Sequence, residues 1–176
     1  MNSGPTSQRV HDAIKRRILT RVFHPGQRLD PAALAETLSS SVTPVRDALH
    51  LLAGRELVVT GTSEGFHIPH LDEPGLKDLY AWNVEVLQLA IRAWPRQPTD
   101  AQGRNTPPEA ADPASATAAL FMDIGELSDN AEHAGAIGAL NDRLHAIRIV
   151  EAGVIEACDD EFQGLAAAAT ARDPHA

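Results

Sequence analysis

The sequence predicts a mainly helical chain in two parts, three short helices closed by a small hairpin and then a shortened all-α bundle. Three observations predict it. The apolar content, 43% of 176 residues, is mostly Ala, Leu, Val and Ile with only 4% aromatic residues, a mixture that favours helices. Apolar residues recur at helical spacing in every long segment, as with Val10, Ile14 and Ile18. The only convincing strand pair flanks the turn-forming run Gly61-Thr62-Ser63-Glu64-Gly65.

The elements follow in order. Ser7 to Val22 reads as the first helix, with Val10, Ile14 and Ile18 on one face, Lys15, Arg16 and Arg17 around them, and His24-Pro25-Gly26 as its stop. Asp30-Pro31 opens the second helix: Asp30 is the cap, and Pro31 occupies the first position, where a missing N–H costs nothing. That helix runs to about Leu38, and Ser39-Ser40-Ser41 is a tight polar turn. A third helix begins near Thr43-Pro44 and continues to Ala53, burying Val45, Ala48, Leu49 and Leu52. Leu57 to Thr60 and Phe66 to Pro69 are the arms of the hairpin. Leu76 to Trp94 is a fourth helix. Residues 95–115 then hold five prolines and few apolar residues, which reads as a linker or loop. Helical spacing returns at Thr117 to Ser128, Glu132 to Cys158 and Asp160 to Ala171. The expected domains are 1–71 and 72–176.

Charge is divided the same way. The net charge is −9, but residues 1–70 carry eight Lys and Arg against six Asp and Glu, whereas the remainder carries seven against eighteen. The first part is therefore mildly basic and permits a polyanionic partner, although +2 is a weak field. One cysteine, Cys158, leaves no internal disulfide and fits a reducing cytoplasm. No apolar stretch is long enough to span a bilayer, and the N-terminus lacks the apolar core of a signal peptide.

A helix, a tight turn, a second helix and a hairpin make a winged helix-turn-helix. The third helix would bury one face and present Thr43, Arg46 and His50 on the other. Its N-terminal N–H groups, with the hydroxyls of Ser41 and Thr43, would seat a phosphate. Arg46, one turn in, would then reach a phosphate or a guanine edge in the major groove. The basic run Lys15-Arg16-Arg17 with Arg21 would touch phosphates or simply form the solvated face of the first helix.

These residues resemble the GntR family. The stretch Ile18-Leu19 through Pro25-Gly26-Gln27-Arg28-Leu29, then Leu34-Ala35-Glu36-Thr37-Leu38, then Ser41-Val42-Thr43-Pro44-Val45-Arg46-Asp47-Ala48-Leu49, follows the family's order and spacing over about Val10 to Leu71. The resemblance implies that Ser41, Thr43 and Arg46 contact DNA, and that Gly65 sits at a wing tip against the minor groove. The chain departs from the family at four positions. Val42 stands where the family usually has Arg, and Ala32 where some members carry a contacting Arg. Glu56 replaces the glycine that normally ends the recognition helix, and Glu64 stands where a basic residue often precedes the wing glycine. A carboxylate there would repel phosphates and weaken binding.

The second half resembles, more faintly, the FadR C-terminal (FCD) effector domain: Leu76 to Ala90 its first helix, Leu120 to Asn130 its central segment, Asp160 to Asp173 its closing helix. Such domains commonly hold a metal with an Asp and three His and use it to bind a carboxylate effector. Here Thr117, Phe121 and Phe162 stand at the Asp and two of the His positions, and neither Thr nor Phe replaces those ligands on a divalent ion. No metal or other cofactor is therefore expected. His133, His145 and His175 read as solvated helix positions.

The resemblance implies a dimeric, repressing transcription regulator that reads duplex DNA, is not membrane-bound, and possesses a helical half for pairing and for a small carboxylate effector. Val42 and Glu64 favour an alternative, a degenerate relative that acts as a protein-interaction or heterodimerising module. No nucleophile with a base, phosphate loop or metal triad supports an enzyme.

Overall fold

The computed structural model describes residues 5–61, 65–95, 112–155, 162–165 and 167. The chain divides into two compact units, 1–73 and 74–176. The first contains α1 (Pro5–Leu19), β1 (Arg28–Leu29), α2 (Pro31–Thr37), α3 (Val42–Ala53), β2 (Val59–Thr60) and β3 (Phe66–His67). The three strands form an antiparallel sheet with β3 in the centre, Leu29 and Thr60 both opposite Phe66.

One core unites these elements. Val10, Ile14 and Ile18 of α1 meet Leu34 and Ala35 of α2 and Val45, Ala48, Leu49 and Leu52 of α3, with Leu57, Val58, Phe66 and Ile68 closing the base. The Asp30 carboxylate accepts from the Ala32 N–H at 2.9 Å with Pro31 in the first turn, so the cap read from Asp-Pro forms as expected.

All three helices of this unit run into a left-handed residue, and none of those three residues is glycine. Arg21, Ser39 and Glu56 have φ of 58°, 49° and 59°, the left-handed region. In each case the next N–H reaches back five residues: Val22 to Arg17, Ser40 to Ala35, Leu57 to Leu52. Each residue thus occupies the place where a Schellman turn ordinarily takes glycine. The first helix accordingly stops at Leu19 rather than at Val22. β1 was not expected; a two-residue strand has no periodicity, and its partner lies far along the chain.

The second unit begins in α4 (Glu73–Arg92) and continues with α5 (Pro113–Glu126) and α6 (Ala131–Glu151). Residues 162–165 and 167 are helical. Leu79, Val86 and Ala90 of α4, Ile124 of α5 and Ile137, Leu140 and Leu144 of α6 form its core. α5 starts inside the stretch expected to be a linker. Asp112 caps it, accepting from the Ser115 N–H and hydroxyl, and Pro113 fills the first turn. At Gly125 a Cβ would lie 2.9 Å from Ile137 Cδ1 and 3.0 Å from Ala134 Cα, so α5 and α6 approach closely there. α6 ends at Glu151, short of the expected Cys158, which lies outside the described residues together with most of 95–115.

Candidate nucleic-acid interface

α3 supplies the exposed face that its sequence implies. Val45, Ala48, Leu49 and Leu52 point into the core, which leaves Thr43, Arg46 and His50 exposed on the opposite side. Ser41 is the N-cap residue, extended at φ −84° and ψ 163°, yet its side chain makes no capping hydrogen bond. The hydroxyl that would satisfy the helix end is thus available to a ligand. So are the N–H groups of Val42 and Thr43, because they belong to the first turn, while Pro44 has none. Arg46 is exposed and, among the described residues, makes no ion pair with Asp47 or Glu36. Ser41, Thr43 and Arg46 therefore share the amino end and outer face of a single helix. Val42 is 37% exposed beside them, an apolar side chain among the polar ones.

The wing is anchored to this helix. The His50 ring meets Phe66 edge-on with centroids 4.9 Å apart, which fixes the end of α3 against β3. The hairpin closes with the Gly61 N–H donating to the Gly65 carbonyl at 2.8 Å. Gly65 itself is buried at the foot of the hairpin rather than at a tip: a Cβ there would lie 3.1 Å from His67 Cε1 and 3.5 Å from Arg28 Nε. The space beside it holds Arg28, an exposed cation that sequence reasoning did not single out because β1 was invisible to it. Residues 62–64, and Glu64 with them, lie outside the described residues. Of the basic residues on α1, Arg16 is exposed and Arg17 half-buried, and Arg21 in the turn beyond it is exposed. Arg9, by contrast, is structural: its guanidinium donates to the Leu38 carbonyl at 3.2 Å and holds α1 to the end of α2.

The interior of the second unit holds a polar cluster that the sequence did not reveal. Arg148 of α6 is only 7% exposed. Its Nη1 donates to Asn141 Oδ1 at 2.8 Å, Asn141 Nδ2 donates to the Ala118 carbonyl, and the guanidinium lies 4.9 Å from the Phe121 ring centre. Burial pushes its pKa below the usual value, with Tyr80 and Glu151 acting against that shift. The Tyr80 hydroxyl donates to the Glu151 carboxylate; burial and that hydrogen bond hold its pKa far above the ordinary range.

The residues expected at the family's metal positions offer no ligands. The Thr117 hydroxyl donates to the Pro113 carbonyl, Phe121 packs under Arg148, and Phe162 is half-buried. Among the described residues no three His, Cys, Asp or Glu are gathered as a metal ion needs. Two expected solvated histidines are otherwise engaged. His133 is half-buried and bonded to the Ser128 hydroxyl at 2.8 Å. His145 is half-buried, and desolvation lowers its pKa despite the nearby Asp112. His175 lies outside the described residues.

Three helices, a left-handed turn between the second and third, and a hairpin braced on the third define a winged helix-turn-helix. Residues 6–68 match the family described as bacterial regulatory proteins, gntR family, so this unit is a GntR-type domain. Among similar proteins, the Nta operon transcriptional regulator of Aminobacter aminovorans is 35% identical over 78 residues, covering 44% of this chain and 37% of that protein. The uncharacterized HTH-type transcriptional regulator YdhC of Bacillus subtilis (strain 168) is 28% identical over 87 residues, 49% of this chain and 39% of the relative. The chain thus matches well under half the length of these curated relatives. In fold, a GntR regulator from Rhodococcus sp. RHA1 superposes with a TM-score of 0.76 at 17% identity, covering 96% of this chain and 87% of that one. E. coli McbR/YncC gives 0.62 at 19% identity over 99% and 89%. Among the described residues no helix is long and apolar enough to cross a membrane.

Proposed function

We propose that the chain is a cytoplasmic, dimeric transcription regulator of the GntR type, with an FCD-like helical half, that represses by occupying duplex DNA. The observation that carries this reading is the amino end of α3, where an N-cap serine with an unused hydroxyl precedes exposed Thr43 and Arg46. In this reading Ser41 and the first N–H groups of α3 take a phosphate, which leaves the Arg46 guanidinium against base edges. Gly65 serves as the small foot that lets Arg28 and the wing approach the backbone. Pairing is assigned to the helical half. Trp82 and Leu89, one heptad apart on α4, are 48% and 46% exposed, and a second copy would cover them. A small carboxylate effector is assigned to the same half.

The test is selection of bound fragments from random duplex DNA, followed by titration of the selected site. Arg46→Ala is expected to weaken binding there by about 1–3 kcal/mol at fixed salt. Unchanged affinity would remove Arg46 from the interface. Failure to select any site would instead favour the second reading, a protein-interaction module, for which the exposed Val42 on the recognition face speaks.

A further inference from the structure

The wing holds a titratable side chain that nothing around it engages, and a cation stands beside it. His67 of β3 pairs with Arg28 of β1 across the sheet, so the two side chains project from the same face. The imidazole lies over the mouth of the hairpin. A Cβ on Gly61 would stand 3.2 Å from His67 Cε1, and one on Gly65 3.1 Å from the same atom. Arg28 Nε is 3.5 Å from that second point, so imidazole and guanidinium flank one glycine. Two glycines thus keep the seat of the ring clear, while Phe66 and Ile68 on either side of it turn into the core. Among the described residues, neither His67 nor Arg28 makes a hydrogen bond or an ion pair through its side chain. Arg28 is the charged group that faces His67 from β1, and β2 offers Val59, which carries no charge. Glu64, the nearest carboxylate in sequence, lies outside the described residues. A protonated His67 would set two cations directly opposite each other, which costs free energy in a sheet. A phosphate between them removes that cost and binds both.

We propose that DNA binding by this unit is proton-linked, with Arg28 and protonated His67 together taking one backbone phosphate at the foot of the wing. This linkage rests on the DNA-binding reading above and names what regulates that surface. Histidine ordinarily changes charge at about pH 6.5, between mildly acidic and neutral. A phosphate favours its charged form, so the complex holds the proton more tightly than the free chain does. Affinity for DNA therefore rises as pH falls through the histidine range and declines as pH rises through it. One proton matters against the field available. Residues 1–70 carry eight Lys and Arg against six Asp and Glu, so it adds half as much again to their net charge.

The experiment uses the full chain and a labelled duplex of random sequence, because the pair takes backbone rather than bases. Fluorescence anisotropy gives the affinity at pH 6.0 and at pH 8.0, at one ionic strength. The wild-type chain is expected to bind about five- to tenfold tighter at pH 6.0, the linkage for a histidine whose proton affinity rises about tenfold on binding. His67→Gln should flatten that difference. Arg28→Gln should weaken binding at both pH values and reduce the salt slope by about one. Calorimetry in two buffers of different ionisation enthalpy needs no variant. At pH 7.0 it should show an uptake of about half a proton per wild-type chain on binding. Equal affinity at the two pH values overturns the proposal, as does binding without proton uptake. So does an equal pH difference in folded His67→Gln, which would assign the proton to another group, such as His50 on α3. Binding that ignores pH removes only this linkage, whereas no binding at either pH removes the DNA-binding reading with it.

Discussion

Ser39, in the turn between α2 and α3, has φ of 49°, with its N–H bonded to the Glu36 carbonyl and the Ser40 N–H to the Ala35 carbonyl. An L-residue in this conformation carries a steric cost of roughly 1–2 kcal/mol, which glycine avoids. Glycine in turn loses more backbone entropy on folding, about 0.5–1 kcal/mol relative to alanine. The Ser39 side chain is exposed and makes no hydrogen bond among the described residues, so little else is lost. Ser39→Gly is therefore expected to stabilise the first unit by about 0.5–1 kcal/mol. No tryptophan lies in that unit, so the assay is amide hydrogen exchange at Leu49 and Leu52, which are completely buried in α3. Their protection should rise about two- to fivefold, the Boltzmann factor for that free energy. Ser39→Ala, which retains the Cβ in the left-handed region, should give no gain. Protection that falls in the glycine variant, or rises equally in the alanine one, would refute the assignment of strain to this turn.

Glu64→Arg should tighten binding to unrelated DNA sequences and steepen the log–log salt dependence by about one, since it exchanges a repelling charge for a phosphate contact; an unchanged slope in filter binding places the wing away from DNA. Gly125→Ala should destabilise the second unit by about 1–3 kcal/mol, because its Cβ would press on the Ala134 backbone at 3.0 Å; urea unfolding followed by tryptophan fluorescence measures it, and a neutral result would mean that α5 and α6 separate freely. Stability of the same unit should decline as pH falls below about 6.5. Burial lowers the His145 pKa against the opposing pull of Asp112 and Asp142, so the unfolded chain binds the proton more readily. Fluorescence-detected unfolding at pH 7.5 and 5.5 should show this slope reduced in His145→Gln; an equal slope would assign it to other groups.

How much of this was legible depends on whether the cause is local. The caps and apolar spacing of α2 and α3 are local, and Asp30-Pro31 could be read directly from the chain. The same two-residue signal recurs at Asp112-Pro113 and starts α5, yet there it stood at the end of a proline-rich stretch and was absorbed into a linker. β1 could not be read, because two residues become a strand only by pairing with β3. The exposure of Ser41, Thr43 and Arg46 was legible because an amphipathic helix sets its exposed residues at fixed spacing from its buried ones. Gly65 was legible as a hairpin residue, but its burial was not, since that depends on His67 and Arg28 folding over it.

Arg148 shows the limit most clearly. On a helix, an arginine among Ile147, Ile149 and Val150 reads as solvated, because a long cationic side chain normally reaches water. It is buried here through Asn141, two turns back on α6 and itself tied to Ala118, and through Phe121 on the neighbouring helix. Phe121 matters twice. Its ring, noted in the sequence as incompatible with a metal ligand, provides the surface over which the guanidinium lies. The helical half thus places a positive charge in its interior as a covalent part of the chain. That charge also imposes a constraint. A desolvated guanidinium is costly to the isolated fold, and here Asn141, Tyr80 and Glu151 offset that cost from within it.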